Sequence, residues 1–161
     1  VPHDHPNVRT VRATLAEAGA TGEVVVLPTS APTAPAAAEQ LGCEVGAIAN
    51  SLVFDADGEP VLVLTSGAHR VDTTFLAGTI GVGRLRRAGP EFVRQHTGQV
   101  IGGVAPVGHP TPLRTYVDVW LARHDTVWAA GGHPHTVFPS SYDELLRLTG
   151  GTPVQVAPEP A

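Results

Sequence analysis

The pair Asp57-Gly58 separates two β-prone runs, "GAIANSLVF" ending at Phe54 and "PVLVLTS" beginning at Pro60. Asp-Gly readily takes the positive backbone angles of a two-residue turn, so the two runs are expected to lie side by side as an antiparallel hairpin. Side chains on the first run then alternate, with Ile48, Asn50, Leu52 and Phe54 on one face and Ala47, Ala49, Ser51 and Val53 on the other. Asn50 thus sets an amide among bulky hydrocarbons. It either marks a site or satisfies backbone groups at a bulge.

The rest of the chain adds helices and further strands. Val8, Val11, Leu15 and Ala18 recur at helical spacing before Gly19, which predicts a helix over 6–18. "EVVVL" predicts a short buried strand, and "TSAPTAPAAAEQLG" a second helix stopped by Gly42. Asp72 can cap "TTFLAG"; Gly89 and Pro90 open "EFVRQHT", which Gly98 closes. "LRTYVDVWL", "DTVWAAGG" and "HTVF" are β-prone, Ser141 and Glu144 make a capping box for "YDELLRLTG", and "TPVQV" can add a last strand. No regular strand-helix-strand beat appears, so the expected class is α+β, with a mixed or antiparallel sheet flanked by helices around one core. A chain of 161 residues suits one domain, expected over 1–161 with its core at about 8–156.

Composition narrows the chemistry. All ten cationic residues are arginine, which excludes a lysine base or Schiff base. A net charge of −5 argues against a broad basic face, so nucleic-acid contact has to be local. Four arginines fall in "GRLRRAGPEFVR"; Arg84, Arg86 and Arg87 are candidates to track phosphates, the alternative being a solvated charged face. The single Cys43 excludes an internal disulfide. No apolar run approaches the roughly 18 residues of a membrane span and "VPHDHPNVRT" lacks a leader's layout, so a cytoplasmic protein without membrane association is expected.

Other candidates lie towards the C-terminus. "TGQVIGGVAPVGHPTP" is too rich in glycine and proline for a helix and reads as a loop whose backbone approaches something closely, or as an ordinary tight turn. His133 and His135, with His109, raise a metal reading that Pro134 weakens, and the expectation is no metal and no cofactor. No G-x-S-x-G elbow is present.

Three segments, "CEVGAIANSLVF", "TGQVIGGVAPVGHPTPLRTYVD" and "VWAAGGHPHTVF", resemble the YbaK/EbsC family of aminoacyl-tRNA editing domains, over roughly residues 8–156. That family includes the insertion domain of bacterial prolyl-tRNA synthetases and free-standing relatives. The resemblance implies a barrel-like mixed sheet and hydrolysis of the ester between a wrong amino acid, alanine or cysteine on the tRNA for proline, and the tRNA 3′ end. The implied partners are the tRNA acceptor end and a synthetase served in trans. Catalysis in the family is thought to use positioned water or groups of the substrate itself.

The resemblance also implies site residues. The family's lysine near the end of the strand before "SLVF" is replaced here by Asn50, which can donate and accept hydrogen bonds but brings no charge. Gly102 and Gly103 correspond to the loop lining the aminoacyl pocket, where their amides would face the scissile carbonyl. Gly131 and His135 fit a glycine-to-histidine feature; His135 would position water or the terminal adenosine, the alternative being a plain surface histidine. Ser51 adjoins Asn50, Asp118 matches a recurrent acidic position serving either substrate or pocket architecture, and Thr29 with Ser30 stands where several relatives carry histidine. A second reading keeps the fold as a tRNA or small-ligand binding module with its catalysis weakened.

Overall fold

The computed structural model describes residues 5–158; the expected domain limits at 1–4 and 159–161, and the start of the segment read for a leader, lie outside the described residues. Helix α1, Pro6–Glu17, starts with proline at its first position and with His5 Nδ1 accepting from Asn7 N at 3.1 Å. It buries Val8, Val11 and Leu15. Strand β1 is only Val25–Val26, and both valines are exposed, contrary to the expected buried strand. The buried residues are its flanks, Val24 and Leu27, because a two-residue edge strand packs by its ends.

Helix α2, Ala34–Leu41, is capped by Thr33 and stopped by Gly42 in the left-handed region. Its start lies within the hydroxyl-rich segment, at the extended N-cap Thr33, with a proline in the first turn. A 3-10 turn, Val45–Ala47, leads into β2, Ile48–Ala56, which pairs with β3, Glu59–Ser66. Asp57 and Gly58 have φ of 54° and 95°, the paired positive angles expected of the hairpin.

Asp72 caps α3, Thr73–Ile80, accepting from Phe75 N at 3.0 Å. Strand β4, Leu85–Arg87, lies inside the arginine cluster and had no strand signal beyond one buried leucine. Helix α4, Pro90–Thr97, ends at Gly98 as expected, and 98–113 contains neither helix nor strand. Strand β5, Arg114–Asp118, is shorter than its β-prone run: Asp118 Oδ1 accepts from Trp120 N at 3.0 Å and turns Val119–Arg123 into a 3-10 turn. β6, Val127–Ala130, β7, Thr136–Ser140, α5, Tyr142–Thr149, and β8, Thr152–Val154, complete the order.

The sheet runs β1-β7-β6-β2-β3-β5-β8, with β4 also on β2. Three pairs, β2 with β6, β3 with β5 and β5 with β8, are parallel; the others are antiparallel. The expected α+β class with a mixed, helix-flanked sheet is therefore observed, as an open path that does not close into a barrel. One face packs Leu62, Leu64 and Phe138 against α1; the other packs Val61, Val63 and Phe54 against Leu76 of α3. Residues 61–64 are buried on both faces, which makes β3 the rigid centre against which the site is built.

Candidate functional site

Strand β2 is paired along its whole length on one side only. Against β3 its register is unbroken from Ala49↔Ser66 to Ala56↔Glu59. On the other side β6 meets only Ile48 and Ala49, and β4 meets only Phe54 to Ala56. Ala88 N extends the β4 pairing by donating to Val53 O, so Asn50 to Leu52 face a gap between two neighbours that stop short. Ile48 O accepts from Gly67 N on the β3 side; by the antiparallel alternation, the backbone N–H and C=O of Ser51 point the other way, into the gap.

A cavity of about 590 Å³ opens at this gap, walled by Asn50, Ser51, Thr65, His69, Arg87 and Gly102 among others. Beside it, and sharing Asn50, Ser51 and Gly102, is a chamber of about 40 Å³ bounded by Ala37 of α2, Ile48, Trp128 and Val137. The larger space is mixed in character. The smaller one sets Ala37, Ile48 and Val137 beside the polar Thr33, Ser51 and Thr136.

Asn50 stands opposite Thr65, and the continuous register excludes a bulge at this point, so the bulge explanation for its amide does not hold. Thr65 Oγ1 donates to Asp118 Oδ2 at 3.2 Å, Ser66 N donates to the same oxygen at 3.0 Å, and His69 Nδ1 lies 2.9 Å from it. Asp118 is 1% exposed and does not line the cavity; it stands behind the wall and holds Thr65 and His69 in it. Ser51 Oγ is buried without a hydrogen-bond partner among the described residues.

The two loop glycines separate. Gly102, with φ 92°, reaches both spaces, and a Cβ there would meet Pro32 Cβ at 3.2 Å. Gly103 is buried beneath the His133–Pro134 backbone, and its N–H donates to Val100 O at 3.0 Å. That amide is committed to a turn and does not face a substrate carbonyl in this conformation.

His133 and His135 lie in the turn before β7 rather than on a strand, because His133 Nδ1 accepts from His135 N and Gly132 takes φ 105°. Their rings lie 5.4 Å apart, and His5 lies 5.2 Å from His133. Burial, then the neighbouring His5 and His135, push the His133 pKa below the usual histidine range. His135 lines neither space. Gly131 is packed against Val24 and Thr136, and exposed Thr29 is tied to Gln40 by its backbone N and O, with Ser30 O also reached by Gln40. Burial also pushes up the Cys43 thiol pKa and pushes the His109 pKa down, His109 Nε2 lying 2.8 Å from Ala105 O. Among the described residues no group of three or more metal-ligating side chains is assembled.

Arg84, Arg86 and Arg87 are exposed on and beside β4, where a second depression of about 630 Å³ runs between that strand and α3. Arg87 lines both this depression and the main cavity, with its guanidinium 5.9 Å from the Phe54 ring centre. The arginines therefore form a cationic edge leading into the site. His69 was missed in the sequence: "SGAHRVD" follows a strand and precedes a capped helix, but nothing in that stretch points to Asp118, 49 positions away.

The model for aminoacyl-tRNA editing domains matches residues 29–148. An uncharacterised Bacillus subtilis protein, YwhH, is 31% identical over 144 residues, covering 89% of this chain and 91% of YwhH. The proline–tRNA ligase of Nitratidesulfovibrio vulgaris is 33% identical over 93 residues, which is 58% of this chain and 16% of the ligase. The chain thus corresponds to a small part of that enzyme. A solved structure of a candidate trans-editing enzyme for prolyl-tRNA synthetase superposes with a TM-score of 0.87 at 43% identity, covering 96% of this chain and 99% of the other. Among the described residues, no helix is long and apolar enough to cross a membrane.

Proposed function

The chain belongs to the aminoacyl-tRNA editing domain family, and from that premise we propose that it is a deacylase that hydrolyses alanyl or cysteinyl esters on the tRNA for proline, acting in trans to the synthetase. The observation that carries this reading is the break in pairing along β2, where Asn50, Ser51 and Gly102 meet a large cavity of mixed lining and a much smaller chamber together. The large cavity suits the ribose and adenine of a tRNA end. The small chamber suits the amino-acid side chain.

Size supports the choice of amino acid. A protein cavity of about 150 Å³ accepts benzene, and a single water needs about 10–15 Å³ of the same kind of space. The chamber's roughly 40 Å³ therefore takes a methyl or a small thiol-bearing group and rejects a pyrrolidine ring. In this reading the Asn50 amide donates to the ester carbonyl, the open-edge backbone of Ser51 holds the aminoacyl group, and Gly102 lets the loop backbone approach. Asp118, Gly103 and Gly131 act by holding the walls, His135 and Thr29 lie further out along the path of the tRNA end, and Arg84, Arg86 and Arg87 meet its phosphates. The whole described core is proposed to form one editing unit.

The test is deacylation of alanyl- and cysteinyl-tRNA for proline by the parent, Asn50→Ala and Asn50→Lys. Activity in the parent that is lost in Asn50→Ala supports the reading. The absence of charge at Asn50 favours one competing reading, a tRNA-binding module with weakened catalysis. An inactive parent that binds tRNA and gains activity as Asn50→Lys would select it.

A further inference from the structure

Resting on the editing reading, a further role emerges from the cavity wall: we propose that His69 is the general base that activates the hydrolytic water, with Asp118 as its positioning residue. Among the described residues lining the main cavity, the charged or ionisable side chains are His69, Arg70 and Arg87, and of these residue types histidine alone offers a ring nitrogen lone pair that can take a proton. The wall carries no carboxylate, thiol or phenol, and the chain has no lysine. A proton leaving an attacking water has one side chain to go to.

The hydrogen bonds determine which imidazole nitrogen is available. Asp118 Oδ2 already accepts from the Thr65 hydroxyl and Ser66 N, and Oδ1 accepts from Trp120 N. A buried carboxylate surrounded by donors can only accept, so His69 Nδ1, 2.9 Å away, carries the hydrogen and donates it. Nε2 is left with the free lone pair, the nitrogen a base requires. The ring is also fixed: it packs on Trp120 with centroids 4.5 Å apart, and Arg123 covers Trp120 at 3.3 Å. The charged groups around it are Asp118 behind, Arg70 and Arg87 along the cavity, and Arg123 across the indole.

In the reaction, Nε2 takes one proton from water as its oxygen bonds to the ester carbonyl carbon. The carbon–oxygen bond to the ribose then breaks, and the imidazolium returns that proton to the leaving ribose oxygen. Ester and water become a free amino acid and a free tRNA end, with His69 neutral again. Ser51 lines the cavity too, but its hydroxyl has no hydrogen-bond partner among the described residues and so no base to activate it as a nucleophile.

The experiment measures the pH dependence of deacylation for the parent and His69→Gln, whose amide keeps hydrogen-bonding capacity in the wall but cannot serve as a base. The expected result is a fall in kcat of about 10²–10⁴, little change in KM, and loss of the rising acid limb of the pH profile. Imidazole added to His69→Ala is expected to restore part of the rate. An active parent with an equal rate and profile in His69→Gln overturns the role of His69 and leaves the editing reading standing. A parent inactive on every aminoacyl-tRNA overturns both.

Discussion

Asn50 on β2 stands directly opposite Thr65 on β3, whose hydroxyl reaches Asp118 on β5 at 3.2 Å. Three polar side chains thus follow one another across three neighbouring strands. Thr65 and Asp118 hold each other, and Asn50 and Thr65 both line the cavity while Asp118 stands behind it.

Replacement of Asn50 separates its role from its size. Asn50→Ala is expected to lower deacylation about 100-fold, the scale of a missing oxyanion donor. Asn50→Lys is expected to raise the rate about tenfold, since a charged donor contributes roughly 1–2 kcal/mol more than a neutral one. Single-turnover rates with alanyl-tRNA for proline measure both, and unchanged rates would remove Asn50 from the site.

The small chamber sets a second expectation. Ala37 is 5% exposed on its wall. Ala37→Val adds two methyl groups to a space of about 40 Å³, so hydrolysis of the alanyl ester falls tenfold or more and that of the cysteinyl ester falls further. Retained tRNA affinity, measured by filter binding, distinguishes this from unfolding.

Gly103 supports the loop rather than the chemistry. A Cβ there would lie 2.8 Å from the His133 carbonyl carbon and from Pro134 N, which are backbone atoms that cannot swing aside. Gly103→Ala is expected to cost about 1–3 kcal/mol, read from the midpoint of urea unfolding. An unchanged midpoint would show that the two loops are free to separate.

Glu144 predicts a pH dependence of stability. Burial alone would raise its pKa, but hydrogen bonds from Ser140 and Thr21, helped by Arg147, outweigh burial and hold it below the usual glutamate range. The folded pKa is lower than the unfolded one, so the carboxylate stabilises the fold above the unfolded value of about 4.3. That contribution disappears as pH falls through the lower folded value. The stability advantage of the parent over Glu144→Gln, measured by urea unfolding, is therefore expected to be full at neutral pH and to shrink below about pH 4.3.

The arginine edge is tested by salt. Replacing Arg84 and Arg86 with alanine is expected to weaken tRNA binding and to flatten its dependence on salt by about 0.7–0.9 in log–log slope for each phosphate no longer neutralised. An unchanged slope would assign these arginines to a solvated face.

Much of the local structure was legible because local chemistry decides it. Asp57-Gly58 turns the hairpin, Thr33, Asp72 and Ser141 accept from the first turns of their helices, and Gly42, Gly98 and Gly150 end helices in the left-handed region. Each of these acts within four residues. Asn50 was also legible, as an amide out of place in an alternating strand. The short strand β4 was not, since it forms against Phe54–Ala56 rather than from its own propensity.

What the sequence by itself determined, then, is the set of elements, their ends, the oddity at Asn50 and the family likeness. What the tertiary structure decided is where pairing stops. β6 and β4 arrive from distant parts of the chain and leave Asn50 to Leu52 between them, which is a matter of how far each strand reaches rather than of any residue in β2. The same holds for His69, which comes to a site only because parallel pairing of β3 with β5 carries Asp118 alongside the end of β3, 49 positions from it in the chain. Turns and caps act through neighbouring backbone groups and can be read along the chain, whereas an open edge or a histidine–carboxylate pair exists only once separate segments have packed.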